Sequence, residues 1–325
     1  MKRVYKIGML FLIFISFFFI GIGCTTNEER RIKEEKNQVL EKKPVIPKQL
    51  QGDRSVVVYV VDEGVKREID IEEYVAGVLG GEINNDWPDE AIKAQAILAR
   101  TFVMEFLTDK TSKYQNADVS TDIEEAQAWA PKDVNNKVRK AVQETEGMVV
   151  AYDGHYIKAW FHSHAGGKTA TAKEGLAFKD LEPPYIQSVE SPDSQEAPPE
   201  DANWTAEFTK KEIINAANKV GSQIDSCNDI SIGKKGPSGR TVTLFIDGTE
   251  VSAPNFRVAL GSTKMKSTLL TDFQVLGDKL IMKGKGYGHG VGMSQWGAYA
   301  MAKEGKTAEE IIKYYFKNVD IMKLW

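Results

Sequence analysis

The sequence predicts an α+β fold: a single β-rich domain over residues 52–325, with several helices forming a groove, preceded by an N-terminal anchor and a charged tether. Three observations predict it. Apolar runs rich in Val, Ile, Tyr and Phe recur between Asp-Gly and Gly-Asp turn signals. Segments of helical apolar spacing interrupt those runs. The 325 residues, 42% hydrophobic and 27% charged, are enough to bury a sizeable core.

The elements follow in chain order. Lys2, Arg3 and Lys6 precede an unbroken apolar run from Ile7 to Gly23, the charged and apolar regions of an export signal. The run ends at Gly-Ile-Gly-Cys24, which resembles a bacterial lipoprotein box with Gly21 where Leu, Val or Ile is usual, making Cys24 the lipidation residue. It is also just long enough to persist as a membrane-spanning anchor. Either outcome holds the domain at the extracytoplasmic face of the membrane. Residues 24–51 turn to Glu, Lys, Arg and Pro and are too poor in apolar residues to fold alone, so they read as a disordered tether reaching up to roughly 80 Å.

From Ser55 the strand signals are SVVVYVV, KREIDI, GMVVAYDGHYIKAWF turning at Asp153-Gly154, RTVTLFIDGTEVS turning at Asp247-Gly248, and FQVLGDKLIMKG turning near Gly277-Asp278. One helix is expected from about Ile71 to Gly80. A second follows Trp87-Pro88, with Pro88 in its first turn and Ile92, Ala96, Ala99, Val103 and Phe106 behind it. Capping boxes start two more, at Thr209–Glu212 and Thr307–Glu310. The Pro/Glu/Ser-rich stretch from Ser191 to Asn203 reads as a surface loop within the domain, and no internal repeat is present.

Composition also excludes functions. A net charge of -4 gives no basic footprint for nucleic acid. With Cys24 lipidated, Cys227 stands alone, so there is no disulfide framework and Cys227 reads as a structural residue.

The segment GYGHGVGMSQWGA, Gly286 to Ala298, places five glycines beside a histidine, a tyrosine and a tryptophan. Such density serves positive φ angles and close backbone approach, to a ligand or to another part of the chain. It is not a dinucleotide fingerprint, because Val291, Met293 and Gln295 occupy the positions that need a third glycine, and no Lys-Ser or Lys-Thr follows for a phosphate loop. Two more histidines, His162 and His164, lie in FHSHAGGKT and would share a strand face, as metal ligands must. Nearby acidic and thiol ligands are missing, so the expectation is no metal. Glu82 is the more informative group. It lies where the first helix ends, among Val78, Leu79 and Trp87, and unsatisfied helix-end carbonyls plus partial burial disfavour its anion, which suits a general acid.

Five ordered stretches, EEYVAGVLGGEINNDWPDEAIKAQAILARTF, FHSHAGGKT, PPYIQSV, FRVALGS and GYGHGVGMSQWGAYAMAKEG, resemble the stage II sporulation protein D family, also called the sporulation D / amidase-enhancer domain, over about Val56 to Phe316. The resemblance implies a lytic transglycosylase that cuts peptidoglycan glycan strands, preferring strands freed of stem peptides, or a non-catalytic activator of a cell-wall amidase; a peptidoglycan-binding scaffold is the third alternative. It places the catalytic glutamate at Glu82 and substrate contacts at Arg100 and Tyr185. The family's lysine two residues beyond the tyrosine is Gln187 here, and the Cys/His stretch of zinc-bearing members is Thr121 to Trp129, without thiol or imidazole, so no zinc or other cofactor is expected. On this reading the glycine-rich segment is a groove wall, with backbone amides, His289, Ser294 and Gln295 contacting the sugar and Tyr287 or Trp296 stacking on it. A lone carboxyl group suffices for the chemistry, since it can protonate the glycosidic oxygen and then take the proton of the sugar's 6-hydroxyl. No partner carboxylate of the kind a hydrolase needs stands out in the motifs.

Overall fold

The computed structural model describes residues 43–325. The anchor, Cys24 and most of the tether lie outside the described residues. Residues Ile46–Tyr152 and Tyr156–Trp325 form one compact unit; the other described residues are 43–45 and the hairpin tip Asp153–His155. The unit starts upstream of the expected boundary at 52, because Leu50, on a single turn Lys48–Leu50, is buried in the core and Ile46 packs against it.

The chain opens with a hairpin, β1 (Ser55–Val60) and β2 (Val65–Asp70), paired in register from Ser55 with Asp70 to Val60 with Val65. Period-2 alternation buries Val56, Val58 and Val60. Helix α1 (Ile71–Glu82) follows at once: the Asp70 carboxylate accepts from the amides of Glu72 and Glu73 and caps it. Helix α2 (Asp89–Asp109) runs through the centre, burying Ile92, Ala96 and Val103 in one apolar cluster and Ala91, Ala94 and Leu98 in another. Pro88 is its N-cap residue, one position before the expected first turn, because its ψ of 139° is extended and not helical.

Beyond α2 come β3 (Val119–Ser120), which adds to β1 in parallel, then α3 (Asn136–Glu144), β4 (Met148–Tyr152), β5 (His155–Tyr156), β6 (Phe161–His162) and the short helices α4 (Ala172–Leu176) and α5 (Pro199–Ala202). A self-contained third core spans residues 204–282, from β7 (Asn203–Thr209), α6 (Lys210–Lys219), β8 (Ile230–Ile232), β9 (Thr243–Ile246), β10 (Thr249–Ser252), α7 (Ala253–Leu260), β11 (Leu270–Leu276) and β12 (Lys279–Lys285). Its two sheets have strand orders β10-β9-β8 and β11-β12-β7. The chain returns through β13 (Met293–Ser294), parallel to β6, into α8 (Gln295–Lys303), α9 (Ala308–Tyr315) and β14 (Asp320–Lys323), which pairs with β4. Helices and small sheets thus make a mixed α+β domain.

Candidate active site

Glu82 is the last residue of α1, and the glycines of that helix decide what faces it. Gly77, Gly80 and Gly81 share one face at helical spacing, and a methyl group at Gly77 or Gly80 would overlap the Trp129 indole or the Ala130 carbonyl. Without side chains there, the segment Ala128–Ala130 lies directly on the helix. The Ala130 amide donates to the Gly77 carbonyl at 2.9 Å, and the Ala128 amide donates to Glu82 Oε1 at 2.7 Å. Burial pushes the Glu82 carboxyl above its ordinary 4.5, and the Ala128 hydrogen bond only partly offsets this.

That shift has a sign for stability. A carboxylate whose pKa is raised on folding costs stability once the pH exceeds the unfolded value, and costs nothing below it. Glu82→Gln is therefore expected to stabilise the protein at pH 7, by about 1 kcal/mol, and to leave it unchanged near pH 4. Thermal melts at the two pH values check this; equal effects at both would show that ionisation is not the cause.

The segment that ties Ala128 down is held by carboxylates of its own. Asp122 accepts from Lys113 Nζ at 2.7 Å, the Tyr114 hydroxyl at 2.9 Å and the Glu124 amide, and these hold its pKa down to about 2. Glu125 accepts from the Ser112 hydroxyl and the Lys113 amide, each at 2.8 Å.

On its other side, Glu82 is held through the main chain: Gln295 Nε2 donates to the Glu82 carbonyl at 2.7 Å. The next residue, Trp296, meets Trp87 with ring centroids 4.4 Å apart, and Tyr299 packs on both. Tyr299 donates its hydroxyl to Glu196 at 2.6 Å. Trp296 and Tyr299 stay half-buried, so the turn after Glu82 and the start of α8 together present aromatic surface.

The structure brings Glu82 and Gln295 together and puts other expected contacts elsewhere. Arg100, expected to hold substrate, is fully buried: it forks onto the Glu72 carboxylate through Nε and Nη2 and donates Nη1 to the Met148 carbonyl at 3.0 Å. It clamps the first turn of α1 to α2 and the start of β4, and with no exposed surface it is out of a ligand's reach. Tyr185 is 8% exposed and accepts at its hydroxyl from the Lys158 amide at 2.8 Å, and burial pushes its pKa up to about 12. Ser294, with no exposure, caps α8 through the Gly297 amide and donates to Asp193 at 2.6 Å. His289 accepts from the Val291 amide, and burial, helped by Arg257 and Arg240, pulls its pKa down to about 3, so it is neutral. Tyr287 is half-buried beneath Lys266 Nζ, 4.8 Å from the ring centroid.

Nor are the glycine-segment amides open to a ligand as a groove wall would require. Those of Gly286, Tyr287, Gly288 and Met293 donate to the carbonyls of Ala202, His164, Lys266 and Trp160. The glycines serve packing instead: φ is positive at Gly286, Gly288, Gly290 and Gly292, and a methyl at Gly290 or Gly292 would overlap Arg240 or the Trp160 carbonyl. His162 and His164 are engaged separately, His162 Nδ1 with the Val291 carbonyl and His164 Nδ1 with the Gly166 amide. Among the described residues no three His, Cys, Asp or Glu side chains converge as a metal site. Cys227 is buried in the third core.

Two groups escaped the sequence reading. Ala128 contributes only a backbone amide, which no residue pattern announces. Asp193 sits in the expected surface loop, yet its side chain is 5% exposed and accepts from the hydroxyls of Ser191 and Ser294.

Comparison with known proteins matches residues 61–152 to a family model described as stage II sporulation protein, and residues 179–292 to one described as a domain of unknown function. The chain is 31% identical to stage II sporulation protein D of Bacillus subtilis over 82% of this chain and 78% of that protein. It is 33% identical to an uncharacterized protein of Brachyspira hyodysenteriae over 79% of this chain and 68% of that one, and 28% identical to the amidase enhancer of Bacillus subtilis over 75% and 40%. The matched model covers α1, all of α2 and Glu82 itself, and the relatives extend the likeness over most of the chain; the chain belongs to the stage II sporulation protein D family.

Proposed function

We propose that the protein is a lytic transglycosylase acting on peptidoglycan glycan strands, with Glu82 as its acid and base. The observation that carries this reading is the environment of Glu82: a carboxyl at a helix C-terminus, with a raised pKa, one amide donor on Oε1, and aromatic side chains beside it. Protonated, Glu82 gives its proton to the glycosidic oxygen as the bond to the muramyl C1 breaks. As a carboxylate it then takes the proton from the 6-hydroxyl of the same sugar, whose oxygen closes on C1. The product is a 1,6-anhydro end, the carboxyl returns to its starting state, and no water is consumed.

Mass spectrometry of digested peptide-free strands tests the reading. Anhydro ends support it, reducing ends mark a hydrolase, and intact strands overturn it. The likeness to an amidase enhancer favours a second reading, a non-catalytic activator of a cell-wall amidase. That reading requires stimulation of a purified amidase with strands left uncut.

The activity needs the domain outside the membrane, and Cys24 supplies the anchor in this proposal. Cys24→Ala is expected to abolish metabolic labelling with a radioactive fatty acid. Absence of label in the unmutated chain, with membrane retention unchanged by the substitution, would instead show a spanning anchor.

A further inference from the structure

We propose that the cavity floored by His164 and Asp193 is a second sugar site, which binds a pyranose bearing a free carboxylate. The proposal rests on the glycan-strand reading above and adds to it a site remote from the acid. The cavity measures about 490 Å³ and is bounded by the loop from Ser191 to Pro199, the Gly166-Gly167 turn, and the paired strands β7 and β12. That volume lies in the range of small-molecule sites, about 300–1,000 Å³.

The hydrogen-bond inventory says what it takes. Asp193 Oδ1 accepts from Ser191 at 2.8 Å and Ser294 at 2.6 Å, and Oδ2 accepts from the Gly167 amide at 3.1 Å. Oδ2 also lies 3.4 Å from His164 Nδ1, an approach longer than a good hydrogen bond, and with about two acceptor positions per carboxylate oxygen Oδ2 keeps one for an incoming hydroxyl. The Gly166 amide donates to His164 Nδ1 at 3.0 Å, closer than the 3.4 Å from that nitrogen to Asp193 Oδ2, and an Nδ1 that accepts leaves the proton of the neutral ring on Nε2. Burial holds that ring below its ordinary pKa, so Nε2–H persists as a neutral donor. Asn203 and Lys285 face each other across β7 and β12 in register, which sets an amide beside an ammonium at the rim. Among the described residues neither side chain, nor His164 Nε2, has a hydrogen bond or ion pair to the protein.

Three open donors, one of them cationic, and one open acceptor call for an anionic group next to a hydroxyl. In a peptide-free glycan strand that combination is the lactyl ether of muramic acid, whose carboxylate is ionised only when no peptide is joined to it. The site is coupled to Glu82 by consecutive residues: Ser294 holds Asp193 while Gln295 holds the Glu82 carbonyl. The Ser194 amide also donates to the Trp296 carbonyl, which fixes the cavity loop to the same helix start.

The test measures binding by full-length protein in detergent, carrying Glu82→Gln so that strands are not consumed. Three probes are compared: peptide-free strands, the same strands with lactyl carboxylates converted to amides, and chito-oligosaccharides of matched length. The expected result is a preference of about tenfold for the free carboxylate, lost in Lys285→Ala and kept in Lys285→Arg. Lys285 is exposed, so neither variant disturbs the fold. Equal binding of all three probes, or a Lys285→Ala effect equal on all three, overturns the site and leaves the glycan reading standing. Binding of no probe overturns both.

Discussion

Glu82→Gln is expected to lower the release of anhydro-ended fragments at least about a hundredfold, the lower range for general acid-base work. Glutamine keeps the length of the side chain and its carbonyl oxygen can still accept from Ala128, so the geometry at the helix end survives. What it removes is the proton. Binding of peptide-free strands should be unaffected, so the loss falls on kcat and not on KM. The activator reading expects a different pattern, in which amidase stimulation persists in the variant because a docking surface requires no titrating group. Cleavage by Glu82→Gln at the unmutated rate would remove Glu82 from the mechanism.

Arg100→Ala is expected to have the second largest effect, and on stability. Removing the guanidinium leaves the Glu72 carboxylate, 17% exposed, facing a void, and strands the Met148 carbonyl. Breaking a buried ion pair on one side costs about 3–5 kcal/mol, a fall in Tm of about 10 °C for a domain of this size. Replacing both partners by apolar side chains, Glu72→Leu with Arg100→Met, should recover much of that loss, since no orphaned charge remains. An Arg100→Ala protein with unchanged melting and weakened strand binding would show the opposite, that the guanidinium reaches substrate.

These two residues mark how far the sequence could be read. The part of Glu82's setting that was legible is local, a helix ending, neighbouring apolar residues and the following Trp87, whereas the Ala128 amide lies 46 positions on and Gln295 213 positions on. Arg100 was legible as a residue on a helix, but its partner Glu72 lies 28 positions earlier and the receiving carbonyl 48 positions later. Local chemistry also explains why the capping boxes at Thr209 and Thr307 form with both reciprocal hydrogen bonds, and why Asp247 and Gly248 turn with positive φ. The glycine-rich segment defeated local reading for the converse reason. Its glycines answer to Arg240, Trp160 and Tyr315, all remote in sequence, so their density signalled closeness without saying to what. Asp193 was hidden by composition, because a Pro/Glu/Ser-rich loop reads as solvent-facing whichever of its residues turns inward.

The docking of Ala128–Ala130 on the bare glycine face of α1 separates two properties that are usually inherited together. Position of the proposed acid is written in the helix, whereas its strength, raised first by burial, is trimmed by an amide delivered by a loop anchored through Asp122 and Glu125. Mutation can therefore retune the working pH by loosening or tightening the anchor, with the helix sequence untouched. Variants that grow acid-tolerant or alkali-tolerant under selection should accordingly carry their changes between Ser112 and Gln127, far along the chain from the residue whose proton they adjust.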